Sequence, residues 1–86
     1  MERRIGFVGL ILEGRESVEA VNRVLSEHAE LILARVGLPR RDKGVSVITL
    51  VVEATTDELG GLTGKLGKVP GVSVKSALSK QGKTGV

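Results

Sequence analysis

Cysteine is absent from the 86 residues, as are tryptophan and tyrosine, and Phe7 is the single aromatic side chain. The lack of cysteine excludes disulfides, thiolate metal sites and cysteine nucleophiles. With only Phe7 to stack on bases, the common aromatic platforms for nucleic acid are excluded as well. His28 is the sole histidine, and one imidazole without a thiolate or a second histidine makes a poor transition-metal site. Long hydrophobic runs are also missing. The apolar stretch after Met1-Glu2-Arg3-Arg4 ends at Glu13, too short for a membrane span, and Gly6 and Gly9 within a strand-like pattern argue against a signal peptide. The expected location is the cytoplasm.

What is present is aliphatic and mildly basic. Hydrophobic residues make up 41% of the chain and the formal net charge is +3, with acids and bases interleaved. Without aromatics the core must be built from Val, Leu, Ile and Ala. A core of that kind in a chain this short is marginal alone, which predicts stabilisation by partner subunits.

Ile5 to Glu13 reads as a strand with apolar residues or glycine on both faces: Ile5, Phe7, Gly9 and Ile11 on one, Gly6, Val8, Leu10 and Leu12 on the other. After Gly14-Arg15 a helix opens at Glu16 or Ser17, with Val18, Val21, Val24, Leu25 and His28 on one stripe. Ala29 to Leu38 is a second strand, stopped by Gly37-Leu38-Pro39, and the charged tip Arg40 to Gly44 leads into a third, Val45 to Ala54. Thr55 and Glu58 have capping-box spacing before a second helix whose buried stripe is Leu59, Leu62 and Leu66. Gly60, Gly61 and Gly64 interrupt it, and Gly60 and Gly64 share a face that admits another backbone at close range. Gly67 suits a C′ position, and Pro70-Gly71 turns the chain into a last strand, Val72 to Leu78. Residues 1–79 form one domain, and 80–86 read as a disordered tail.

The order strand–helix–strand–strand–helix–strand predicts an α+β, ferredoxin-like sandwich, a four-stranded antiparallel sheet with both helices on one face. The uncovered face should then be polar, yet Val45, Val47 and Val51 alternate with Ile48, Leu50 and Val52 on the third strand. The expectation is that this face packs on another copy of the chain as a homodimer or homotetramer, with Val45, Val47, Val51, Gly60 and Gly64 at interfaces.

Several features invite a site. The Gly14-Arg15 turn before a helix start offers backbone N–H groups and a guanidinium to an anion. Gly64-Lys65 resembles part of a phosphate loop, but Leu66 stands where Ser or Thr is required, so that motif is rejected. Arg35, Arg40, Arg41 and Lys43 cluster around the hairpin, with Lys75, Lys80 and Lys83 toward the C-terminus, a candidate contact for an anion or nucleic acid, and solvated charge is the simpler account of them. The serines have no patterned base and the acids no paired motif, so no catalytic residue is assigned and the chain is expected not to be an enzyme. No cofactor or metal is expected.

Three stretches carry a family resemblance: Val18 to Leu25; Ile32-Leu33-Ala34-Arg35-Val36-Gly37-Leu38-Pro39 with Arg41; and Leu62-Thr63-Gly64-Lys65-Leu66-Gly67 followed by Pro70-Gly71-Val72-Ser73-Val74-Lys75. Over residues 4 to 78 the chain resembles the small ACT-like proteins known as regulators of the iron-only hydrogenase system. The resemblance implies an ACT-like βαββαβ fold, similar to the ligand-binding domain of nickel-responsive repressors, and a regulatory role in dimers or tetramers. The nickel ligands and the DNA-binding arm of those repressors have no counterpart in this chain. ACT-type domains often bind a small effector, commonly an amino acid, where the first strand-to-helix turn meets a neighbouring subunit. That analogy nominates Glu13, Gly14 and Arg15, with Gly9 and Leu10 lining the approach. The alternatives are an adaptor that docks a larger protein without a small ligand, and a weak nucleic-acid binder acting through the basic hairpin.

Overall fold

The computed structural model describes residues 2–80, Arg41 by its backbone alone. The elements are β1 (Arg4–Glu13), α1 (Arg15–Glu27), a 3-10 turn (Ala29–Leu31), β2 (Ile32–Arg40), a second 3-10 turn (Arg41–Lys43), β3 (Val45–Ala54), α2 (Thr56–Gly67) and β4 (Val72–Leu78). The four strands form one sheet in the order β2-β3-β1-β4, antiparallel throughout, with β1 and β3 central. The expected ferredoxin-like α+β architecture is the one observed.

Alternation along the central strands sorts the side chains into two layers. Val8, Leu10 and Leu12 of β1 and Ile48, Leu50 and Val52 of β3 turn toward the helices and pack on Val21, Leu25, Leu62 and Leu66. Each such side chain contributes roughly 1.5–3 kcal/mol on burial. The other layer is formed by Phe7 opposite Val51, Gly9 opposite Thr49 and Ile11 opposite Val47, and it meets solvent.

Three boundaries differ from expectation. Residues Ala29–Leu31 make a 3-10 turn before β2, closed by the Leu31 N–H donating to the His28 carbonyl at 3.0 Å. β2 runs through Gly37-Leu38-Pro39 to Arg40, because an edge strand serves a hydrogen-bond ladder on one side only and tolerates a proline. Gly67 is the last residue of α2 and not a left-handed C′ residue; Lys68 caps the helix in right-handed conformation and its N–H donates to the Lys65 carbonyl at 3.3 Å. The left-handed turn into β4 falls at Gly71, φ 82°. The tail predicted to be disordered lies, from Gln81 onward, outside the described residues.

Candidate functional site

Glu13 ends β1 with its N–H donating to the Gly71 carbonyl at 2.8 Å. Gly71 approaches so closely that a Cβ there would lie 2.6 Å from the Glu13 carbonyl oxygen. On the other side the Gly14 N–H reaches the Gly44 carbonyl at 3.4 Å, so the turn is tied to both flanking segments. Gly14 has φ 91° and ψ 151°, a conformation open in practice to glycine alone. No side chain caps α1. Ser17 is buried and its hydroxyl donates toward the carbonyls of Gly14 at 2.8 Å and Glu13 at 3.1 Å. The turn's acceptors are thereby satisfied, while among the described residues the first N–H groups of α1 have no side-chain cap.

An open cleft of about 700 Å³ lies between this helix start and the β2–β3 hairpin. Gly14, Arg15, Val18 and Glu19 form one wall; Pro39, Arg40, Gly44, Val45 and Ser46 form the other. A shallower hollow of about 440 Å³ lies on the far side of the turn, bounded by residues 13–17 with Pro70 and Gly71. Gly14 and Arg15 stand between the two. Arg40 is held by Asp42, Nη2 to Oδ2 at 3.0 Å and Nε to Oδ1 at 3.2 Å. Arg15 and Glu19 take part in no ion pair among the described residues. The cleft therefore offers one unpaired guanidinium, one unpaired carboxylate, a helix N-terminus and apolar patches from Val18, Pro39 and Val45. This arrangement suits a small zwitterion or anion. It assembles no nucleophile with a base, and among the described residues no three of His, Cys, Asp and Glu group to hold a metal ion.

Of the residues nominated for ligand contact, Glu13, Gly14 and Arg15 come together at the turn. Leu10 does not join them: it points into the core at 1% exposure because it lies on the helix-facing register of β1. Gly9 sits on the opposite layer, paired with Thr49 and Lys75. Neither borders the cleft or the hollow beside the turn. Val18, Glu19, Pro39 and Ser46 border the cleft without any motif that marks them for it, and Val45 and Arg40, expected at an interface and at the basic hairpin, border it too. Their signal lies in the register. Glu13 pairs with Val45, and Val45 with Arg40, so a four-strand topology already puts the hairpin beside the first turn.

The basic hairpin disperses. The Arg35 side chain turns to the helix layer, where its Nη2 donates to the Asn22 Oδ1 at 2.6 Å, while Arg40 turns to Asp42. Lys43 is exposed. Of the nominated interface residues, Val47 and Val51 lie on the open sheet face, whereas Gly60 and Gly64 lie exposed on α2, in the opposite layer. The two sets belong to different surfaces. Apart from the surrounding turns of α2's own backbone, no part of the described chain comes within 4 Å of a Cβ added at Gly60 or Gly64.

The order of strands and helices, with an open turn at the first helix, defines an ACT-like, ferredoxin-like domain. Comparison with known proteins agrees. Residues 4–76 match the model of the TM1266-like family, described as "Iron-only hydrogenase system regulator, putative". The chain belongs to this family. It is 39% identical to the uncharacterized protein TM1266 from Thermotoga maritima, with a TM-score of 0.88 over 92% of this chain and 100% of that one. The ACT domain of GTP pyrophosphokinase from Chlorobium tepidum superposes with a TM-score of 0.76 over 87% of this chain and 99% of that one, at 23% identity. The C-terminal domain of the Mycobacterium tuberculosis MgtC protein superposes with a TM-score of 0.70 at 16% identity, over 95% of this chain and 94% of that one. The last two likenesses concern the fold alone. No curated protein matches the chain at a significant level. Among the described residues no helix is long and apolar enough to cross a membrane.

Proposed function

We propose that this chain is a non-enzymatic regulatory domain of the cytoplasm that senses a small anionic or zwitterionic effector, such as an amino acid, within an assembly of identical subunits. The observation that carries the reading is the cleft at the β1–α1 turn, where Arg15 and Glu19 are opposite charges without ion-pair partners among the described residues, beside a helix start with no side-chain cap. In this reading Arg15 takes the carboxylate of the effector and the α1 N–H groups share it. Glu19 takes the ammonium, and a neighbouring subunit closes the open side. In this reading the regulated process is the one the family's description names, the iron-only hydrogenase system; TM1266 itself is uncharacterized.

A dye-based thermal-shift screen against amino acids, nucleotides and divalent metals tests it, since the chain has no Trp or Tyr for intrinsic fluorescence. An effector at 100 times its Kd adds about 2.7 kcal/mol, and a domain of this size gains about 4–8 °C per kcal/mol. Arg15→Ala should abolish or sharply weaken the shift. Unchanged binding by that variant would reject the site, and a flat screen would favour the adaptor reading.

A further inference from the structure

The cleft at the β1–α1 turn continues past the residues that border it. Arg15, Val18, Glu19 and Asn22 share one face of α1, at the spacing i, i+3, i+4 and i+7. Across from them Arg35, Gly37 and Pro39 pair with Leu50, Ile48 and Ser46, the helix-facing register of the sheet. Pro39 faces the start of α1 over the cleft. Arg35 meets the same helix further along, its Nη2 donating to the Asn22 Oδ1 at 2.6 Å. Between the two, Gly37 brings no side chain, and nothing stands within 4 Å of where its Cβ would be. The cleft is thereby one end of a groove that runs about 10 Å along the helix, from Arg15 to the Arg35–Asn22 contact.

Charge alternates along this groove. Arg15 stands at one end, Glu19 one helical turn on, and Arg35 at the other end. None of the three has an ion-pair partner among the described residues, whereas Arg40 at the mouth is matched by Asp42. Among those residues Arg35 donates only to a neutral amide, so its charge is unmatched and most of its five N–H donors remain for a ligand. Local helix energetics do not favour the arrangement: a cation in the first turn opposes the helix dipole, and arginine four residues before glutamate is the weaker orientation of such a pair. From the order cation, anion, cation we infer that the effector is a dicarboxylic amino acid. Arg15 takes the carboxylate beside the ammonium, Glu19 the ammonium, and Arg35, oriented by Asn22, the distal carboxylate. The inference rests on the proposed effector site and narrows its ligand. A dicarboxylate without the amine would leave Glu19 facing like charge, and a monocarboxylic amino acid would leave Arg35 without a counter-charge.

Titration calorimetry of the full chain tests this with L-glutamate and L-aspartate as probes, against L-glutamine, glutarate and L-norvaline. At least one of the two diacids should bind about tenfold or more tighter than each of the other three, the difference that one charge-matched contact makes. Arg35→Gln should bring glutamate down to the affinity of glutamine, and Arg35→Lys should restore part of the gap. Arg15→Ala should weaken every amino acid probe alike. Should Arg35→Gln unfold, Gly37→Val gives a second reading, since it fills the middle of the groove from an exposed position on an edge strand. It should weaken diacid binding about tenfold or more with an unchanged circular dichroism spectrum. Equal affinity of the wild type for glutamine and both diacids would overturn the choice of ligand and leave the effector site standing. Diacid binding unchanged in both Arg35→Gln and Gly37→Val would overturn the groove. No binding of any probe at millimolar concentration would overturn the inference, and the wider thermal-shift screen then decides the effector site itself.

Discussion

At the scale of single residues, glycine plays two opposite roles in this chain. Gly71 is left-handed, and a Cβ there would press on the Glu13 carbonyl oxygen. Gly71→Ala should destabilise the protein by about 1–3 kcal/mol, seen as a fall in the midpoint of thermal unfolding. Gly14→Ala should behave alike through strain alone, since space around it is open. Gly60 and Gly64 lie in a helix interior with nothing near their missing Cβ. Gly60→Ala and Gly64→Ala should therefore each stabilise the isolated subunit by about 0.5–1 kcal/mol. A loss of stability in either would mean that a partner backbone lies against that helix. Both the turn glycine and the helix glycines are visible in the sequence. What separates them is whether another segment stands where the Cβ would go.

At the scale of elements, the start of α2 is the best specified. The Thr55 hydroxyl accepts from the Glu58 N–H at 3.1 Å, and the Glu58 carboxylate accepts from the Thr55 N–H at 2.8 Å. Arg3 adds Nη2 to Oε2 at 2.9 Å and Nε to Oε1 at 3.2 Å. Thr55→Ala should cost about 1 kcal/mol, or about 4–8 °C in midpoint. The Thr55 backbone N–H first, and then Arg3, hold the Glu58 carboxyl below the usual carboxylate range. Since the folded value is the lower one, this contribution is complete above the unfolded Glu pKa of about 4.3 and is lost as pH falls through the folded value. Glu58→Gln should therefore unfold with a shallower loss of stability below about pH 4.5 than wild type. Equal acid limbs in the two proteins would show that the pair contributes nothing. The capping box is legible in Thr55-Thr56-Asp57-Glu58 because it is local. The Arg3 partnership is not, since 55 residues separate the pair. The extension of β2 past Pro39 was hidden for a similar reason: only its place at the sheet edge makes a proline harmless there.

At the scale of the whole molecule, two surfaces of different character share one hairpin. Pro39 and Ser46 border the cleft, while Leu38 and Val47, one residue away in each strand, sit on the open face. Alternation along a strand separates these two pairs, while Arg40 and Val45, on the same register as Leu38 and Val47, also border the cleft at the hairpin's end. A charge placed at Val47 should therefore disturb self-association and leave the cleft's charges intact, which sedimentation and effector titration of Val47→Lys would separate. The element order, the buried stripes of the two helices, the capping box and the apolar character of both sheet faces are legible in the chain, because they follow from local periodicity and hydrogen bonding. It takes the folded arrangement to make Leu10 core while Arg15 borders a cleft, to part Arg35 from Arg40, and to set the interface valines and the helix glycines on opposite layers. Those outcomes depend on register and on partners remote in sequence, Glu13 with Val45 and Gly71, and Arg35 with Asn22, and no local pattern encodes which distant segment folds back against a given residue.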